Sequence, residues 1–166
     1  MNISVQRLYS DVVLPEYKHE DDSGMDIRAY FSEEFKSRKD FPDGCSYDDK
    51  LDAFLIEANC RAIIPTGIKV GIVDKSLEIQ VRPRSGMSFK SGLTVLNTPG
   101  TIDAGYTGEI GVIVYNSNQD SVCSVQHGDR IAQLVLCPVL KIEWNVVKEL
   151  DETIRGVGGF GHTGVK

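Results

Sequence analysis

Gly67-Ile68-Lys69-Val70-Gly71-Ile72-Val73-Asp74-Lys75-Ser76-Leu77-Glu78-Ile79-Gln80-Val81-Arg82 decides the fold class. Ile68, Val70 and Ile72 alternate with Lys69 and Gly71. After the turn cluster Asp74-Lys75-Ser76, residues Leu77, Ile79 and Val81 alternate with Glu78, Gln80 and Arg82. Successive side chains of an extended chain point to opposite faces, so both runs read as strands with one face for a core and one for water.

The same period returns further along. Ile110, Val112 and Val114 share a face opposite Glu109, Gly111 and Tyr115, and Ile131-Ala132-Gln133-Leu134-Val135-Leu136 is another short run. Pro65-Thr66-Gly67, Asn97-Thr98-Pro99-Gly100, Asn116-Ser117-Asn118 and His127-Gly128-Asp129 read as turns between strands. Many short strands at regular spacing indicate an all-β sandwich or jelly roll. Helix signals are few, and residues 85–91 have room for one short helical turn. The rhythm breaks over 33–57, which is charge-rich, then turn-forming, then acidic with scattered aromatics. That segment reads as a surface excursion, either a plain loop or hairpin or an insert for a protein partner.

Composition narrows the function classes. The 166 residues suffice for one core, and no repeat or linker divides them. A net charge of −6 argues against general nucleic-acid binding, which needs a basic field. An anionic substrate would have to be captured by locally clustered arginines. Cys45, Cys60, Cys123 and Cys137 form no C-x-x-C pair, and His19, His127 and His162 lack ligand spacing, so neither structural zinc nor a disulfide framework is expected. No apolar run approaches a membrane span and no signal-peptide pattern opens the chain. The expectation is a soluble, non-secreted protein of the cytoplasm, or of the nucleus if the source is eukaryotic or viral.

Five patches carry chemistry. In Ser23-Gly24-Met25-Asp26-Ile27 the aspartate alone reads as a capping or surface acid. Arg82-Pro83-Arg84-Ser85-Gly86 reads as an anion cradle or a solvated loop, since guanidinium pairs with phosphate in a bidentate fork. Asn97 to Glu109 reads as a hairpin in which Asp103 is a general base or a structural acid, and Tyr106 a wall for a sugar or a structural ring. Gln133 in Gly128-Asp129-Arg130-Ile131-Ala132-Gln133-Leu134 is polar within an apolar strand, so if buried it needs a ligand or a backbone partner. The last, Arg155-Gly156-Val157-Gly158-Gly159-Phe160-Gly161-His162-Thr163-Gly164, has five glycines in ten positions. It cannot build a core, but it can offer backbone N–H groups and a guanidinium to phosphates and a ring to a base, so it is a mobile tail or a lid.

In this order the patches resemble the trimeric dUTPase family, from Ser23 to Gly164. The blocks that carry the resemblance are Pro83-Arg84-Ser85-Gly86, Ile102-Asp103-x-x-Tyr106-x-Gly108-Glu109, Gly128 to Leu134 and the tail. The resemblance implies a homotrimer of jelly-roll (β-clip) subunits with shared active sites that hydrolyse dUTP to dUMP and pyrophosphate with Mg²⁺. It implies a β domain over 1–152 and a lid over 153–166. It gives Asp103 the attacking water, and Asn97 with the backbone near Gly100 the uracil. Tyr106 would take the deoxyribose, and Arg84, Ser85, Gly86 and Gln133 the phosphates. Asp26 would stand near the metal through water, Arg155 and Thr163 at the γ-phosphate, Phe160 on the base, and Gly161 and His162 beside it in the lid.

Three features depart from the family pattern: Met25, the pair Ala104-Gly105 before Tyr106, and the long 33–57 segment. Inserts in some members serve protein partners, so an added regulatory role is the alternative. A dCTP deaminase shares the fold but needs a glutamate where this chain has Ile113, which cannot transfer protons.

Overall fold

The structure is a computed structural model that describes residues 2–159. Eleven strands and two short helices follow in the order β1 (Ser4–Arg7), β2 (Met25–Arg28), α1 (Glu33–Lys36), β3 (Cys45–Asp48), β4 (Ala53–Ile56), β5 (Arg61–Gly71), β6 (Leu77–Arg82), α2 (Ser85–Ser91), β7 (Leu93–Val95), β8 (Gly100–Ile102), β9 (Glu109–Asn116), β10 (Cys123–Gln126) and β11 (Arg130–Pro138). They form three antiparallel sheets, ordered β1-β5-β9-β7, β10-β4-β3 and β2-β11-β6-β8. The four runs read from the sequence fall in β5, β6, β9 and β11, the first of them passing one residue beyond the end of β5 at Ile72, and the expected helical turn is α2. The alternation is realised as burial: Ile64, Ile68 and Val70 of β5, Ile79 and Val81 of β6 and Ile110, Val112 and Val114 of β9 meet in one core.

Pro65-Thr66-Gly67, expected as a turn, lies inside β5 as a bulge, where the pairing with β9 slips between Pro65 and Lys69. Gly67 has φ +69°, and a Cβ there would come within 2.6 Å of the Val12 side chain, so only glycine fits without strain. Glu109 holds the bulge. Its Oε1 accepts the Thr66 N–H at 3.0 Å and the Gly67 N–H at 2.6 Å.

The 33–57 segment is tied into the body of the protein. The Ser32 hydroxyl accepts the Phe35 N–H at 3.1 Å and starts α1, whose acids sit in the first turn and whose lysine sits in the last. β4 pairs with both β3 and β10, and Phe54 and Ile56 are fully buried in the core. The excursion is therefore a short helix followed by a hairpin whose inner strand, β4, belongs to the core.

Candidate active site

Two clusters of site residues form in one chain. The first depends on register. β11 runs between β2 and β6, pairing Gln133 with Asp26 on one side and Arg82 on the other. Three patches far apart in sequence thus meet in one row. Arg84, extended at the entry to α2, donates Nε–H to Asp26 Oδ1 at 2.7 Å and Nη1–H to the Arg130 carbonyl at 3.2 Å. Arg130 donates Nη1–H to Asp26 Oδ2 at 3.1 Å. One carboxylate between two guanidiniums leaves a net positive cluster, and pairs this exposed to water orient side chains more than they add stability. Gln133, which needed a partner, donates Nε2–H to the Pro83 carbonyl at 2.9 Å. Gly24 makes room for it, because a Cβ there would lie 2.5 Å from Gln133 Oε1. Ser85 and Gly86 are exposed in the first turn of α2, whose N-terminus carries no side-chain cap.

The second cluster is the turn from β8 to β9 and the segment before it. The hairpin expected there is not formed, because β8 pairs with β6 and β9 with β5 and β7, so the turn carries the chain from one sheet to another. The Tyr106 N–H bonds to the Asp103 carbonyl at 3.0 Å, closing the turn, and the Tyr106 hydroxyl donates to the Glu109 carbonyl at 2.7 Å. The ring lies across Gly108, where a Cβ would come within 2.7 Å of Tyr106 Cζ. Gly100 packs close to Asn97, whose Nδ2 would stand 3.1 Å from a Cβ, and the Thr98–Pro99 peptide is cis. Asn97, Gly100, Asp103 and Tyr106 line a hollow of about 200 Å³ with Val81, Ile110 and Ile113 among its apolar wall. The exposed Asp103 also borders a second hollow that holds Lys75 and Lys141.

None of Asp26, Arg84, Ser85 or Gln133 lines the hollow at the β8–β9 turn. At about 200 Å³ it is also smaller than the roughly 300–1,000 Å³ usual for a small-molecule site. Arg155 sits in an exposed local turn, donating Nε–H to the Gly158 carbonyl at 2.9 Å. Phe160, Gly161, His162 and Thr163 lie outside the described residues. Two residues quoted within motifs but given no role have clear ones here. Arg130 clasps Asp26 from the side opposite Arg84, and Glu109 fixes the bulge in β5. Only strand register reveals either, and a single sequence does not display it.

Among the described residues no three His, Cys, Asp or Glu side chains gather to hold a metal, and no helix is long and apolar enough to cross a membrane. The family model of dUTPase matches residues 49–164. A deoxyuridine 5′-triphosphate nucleotidohydrolase of Desulfotalea psychrophila is 50% identical over 92% of this chain and 87% of that protein. One from Syntrophotalea carbinolica is 44% identical over 99% of this chain and 97% of that protein. Among solved structures, the Staphylococcus bacteriophage 80alpha dUTPase with dUPNHPP superposes with a TM-score of 0.77 at 26% identity, covering 99% of both chains. The dUTPase of phage phi11 of S. aureus, at 22% identity and TM-score 0.69 over 92% of this chain and all of that one, shares the fold. Matched along nearly its whole length in sequence and in architecture, the chain belongs to the dUTPase family.

Proposed function

We propose that this chain, as a homotrimer, hydrolyses dUTP to dUMP and pyrophosphate with Mg²⁺, so limiting uracil in DNA and supplying dUMP for thymidylate synthesis. The observation that carries the reading is the hollow at the β8–β9 turn, where an exposed Asp103 borders the space framed by Asn97 and Tyr106. Asn97 and the backbone up to Gly100 read the uracil edge, and a base with the wrong donor pattern leaves their polar groups unpaired. Tyr106, held flat across Gly108, lies under the deoxyribose and leaves no room for a 2′-hydroxyl. Asp103 takes a proton from water as the water oxygen bonds to the α-phosphorus, and the bond from that phosphorus to the α,β-bridging oxygen breaks to release pyrophosphate. Such displacement asks mainly for positioning and charge neutralisation, supplied by Arg84, Ser85, the Gly86 N–H and Gln133.

When bound, Mg²⁺ would neutralise phosphate charge and orient the chain of phosphates. The donor set fits an ion carried in on substrate oxygens. Both oxygens of Asp26 are engaged by arginines, so Asp26 meets the ion through water. Arg155 and Thr163 take the γ-phosphate and Phe160 stacks on the base, with Gly161 and His162 beside it as residues 153–166 close as a lid.

The separation of the two clusters supports sites shared between copies, with the β8–β9 turn from one chain and the arginines from another. The segment after β11 supports assembly as well. Leu140, Ile142, Trp144 and Val146, every second residue, are 71–93% exposed, a pattern that seeks an apolar partner surface. Ile113 in the hollow's wall favours hydrolysis over deamination, since a hydrocarbon carries no proton. A protein-binding role at 33–57 would use the exposed Glu33, Glu34 and Asp49. Charge reversal there tests it, because deletion would strip Phe54 and Ile56 from the core. The main test is pyrophosphate release with Mg²⁺ from dUTP, dTTP, UTP and dCTP. Fast release from dUTP alone is expected; equal release from UTP would remove Tyr106 from its role, and ammonia from dCTP would overturn the hydrolase reading.

A further inference from the structure

Away from both catalytic clusters, two thiols are brought together at the base of the β3–β4 hairpin. Cys45 opens β3 and Cys60 directly precedes β5. Backbone bonds fix both: the Cys45 N–H to the Pro42 carbonyl at 3.0 Å, Glu57 N–H to Gly44 carbonyl at 2.8 Å, Cys60 N–H to Glu57 carbonyl at 3.1 Å, and Asn116 N–H to Cys60 carbonyl at 3.0 Å. The end of β4 is thereby folded back over the start of β3. The sulfurs then sit reciprocally. Cys60 Sγ fills the space that a side chain on Gly44 would need, and Cys45 Sγ donates to the Arg61 carbonyl at 3.5 Å. Each sulfur lies against the neighbour of the other cysteine, both half-buried at the rim of the core. The other two cysteines lie elsewhere, Cys123 against the Ser91 carbonyl and Cys137 beside Arg82.

We propose that Cys45 and Cys60 are a redox dithiol, a modification site that small-molecule disulfides of the glutathione type oxidise to an intramolecular Cys45–Cys60 bridge. The Cys60 thiolate attacks one sulfur of the disulfide and expels a thiolate, leaving a mixed disulfide on Cys60. Cys45 loses its proton to solvent, attacks Cys60 Sγ and expels the second thiolate. Two protein thiols and one disulfide become one protein disulfide and two small thiols, and the protein loses two hydrogens. The order follows from environment: burial, and the neighbouring Cys60 and Glu57, push the Cys45 thiol up to about 11, so it is the poorer first nucleophile. In a reducing compartment such a bridge is transient, which suits a thiol pair that already packs without it. Once formed, it staples the hairpin carrying Tyr47 and Phe54 to the start of β5.

The test treats the native assembled protein with excess glutathione disulfide at about pH 8, near ordinary thiol ionisation, followed by trypsin without reductant. Peptides 40–50 and 51–61 should be recovered joined through Cys45 and Cys60, and separate again after dithiothreitol. Phenylarsine oxide, which bridges adjacent thiols, should bind one per chain and be lost from C45S and from C60S while C123S and C137S retain it. Mixed disulfides on Cys45 and Cys60 with no cross-link, or a cross-link that recruits Cys123 or Cys137, would overturn the proposal. The wild-type digest decides this even where a serine variant fails to fold.

Discussion

Glu109 stands in a motif read as catalytic, yet its carboxylate points into the scaffold. Oε1 accepts two backbone N–H groups, Thr66 at 3.0 Å and Gly67 at 2.6 Å, where β5 bulges against β9. Glu109→Ala would leave both donors without that acceptor in a half-buried place. Hydrogen bonds to a charged group contribute about 1.5–3 kcal/mol each, and partial access of water offsets some of the loss, so about 3 kcal/mol in total is expected. For a domain of this size that is a fall of about 6–12 °C in melting temperature. Glu109→Gln keeps one oxygen acceptor and should cost about 1 kcal/mol. Urea or thermal unfolding at one fixed protein concentration measures the first effect, because assembly makes stability concentration-dependent. Pyrophosphate release well below the melting temperature measures the second, and kcat should stay within about threefold of the parent. An unchanged melting temperature, or a large kcat loss in a fully folded Glu109→Gln protein, would refute the scaffold assignment.

Asp103→Asn should leave assembly and nucleotide binding intact while lowering kcat by about 10²–10⁴-fold; wild-type turnover in a titrated, folded sample would remove Asp103 as the base. Deleting 153–166 should cripple turnover with a melting shift below about 2 °C, since a lid contributes little core; calorimetry beside kinetics separates the two. Tyr47 and Lys36 hold the Asp52 carboxyl below its ordinary value of 3.8, so its contribution to stability is present above that value and fades as pH falls through the depressed one. The melting-temperature difference between parent and Asp52→Asn should therefore be flat between about pH 5 and about pH 9 and shrink toward about pH 3.

The alternation in Ile68 to Ile72 and Leu77 to Arg82 sufficed for the class of fold, because a half-buried strand writes its own period into the chain. Local signals were legible wherever the partner is local, as in the helical turn after Arg84 and the tight turn at Asp103, whereas the strands flanking that turn pair with distant strands and not as a hairpin. What escaped depends on distant partners. Pro65-Thr66-Gly67 has turn composition, yet Glu109, more than forty residues away, holds it as a bulge within a strand. The 33–57 segment looks polar on average, and its core role rests on Phe54 and Ile56, which pair with a strand formed by residues 123–126. Ser32 followed by two acids is a helix start embedded in a charged run, where no apolar period marks it. The pairing of Asp26 with Arg84 and Arg130 needs the register of β11 against its neighbours, which composition does not encode.

That register leads to the sharpest test of the proposed assembly. If the β8–β9 turn and the arginine cluster of one site come from different chains, two inactive variants can repair each other. Asp103→Asn keeps a sound arginine cluster, and Arg84→Ala keeps a sound β8–β9 turn. In trimers mixed at random from equal amounts, a site draws its Asp103 turn from an Arg84→Ala chain half of the time and its arginines from an Asp103→Asn chain half of the time. About one quarter of the sites would then be wholly native in composition, and about a quarter of parental turnover should return on co-refolding or co-expression. If each chain completed its own site, every site would carry one defect and no activity would return. The hollow of about 200 Å³, without Arg84, Ser85 or Gln133 in its wall, argues for the first outcome. Mixed samples with no more turnover than their separate components would show that the two clusters serve one chain after all, and the shared site would have to be given up.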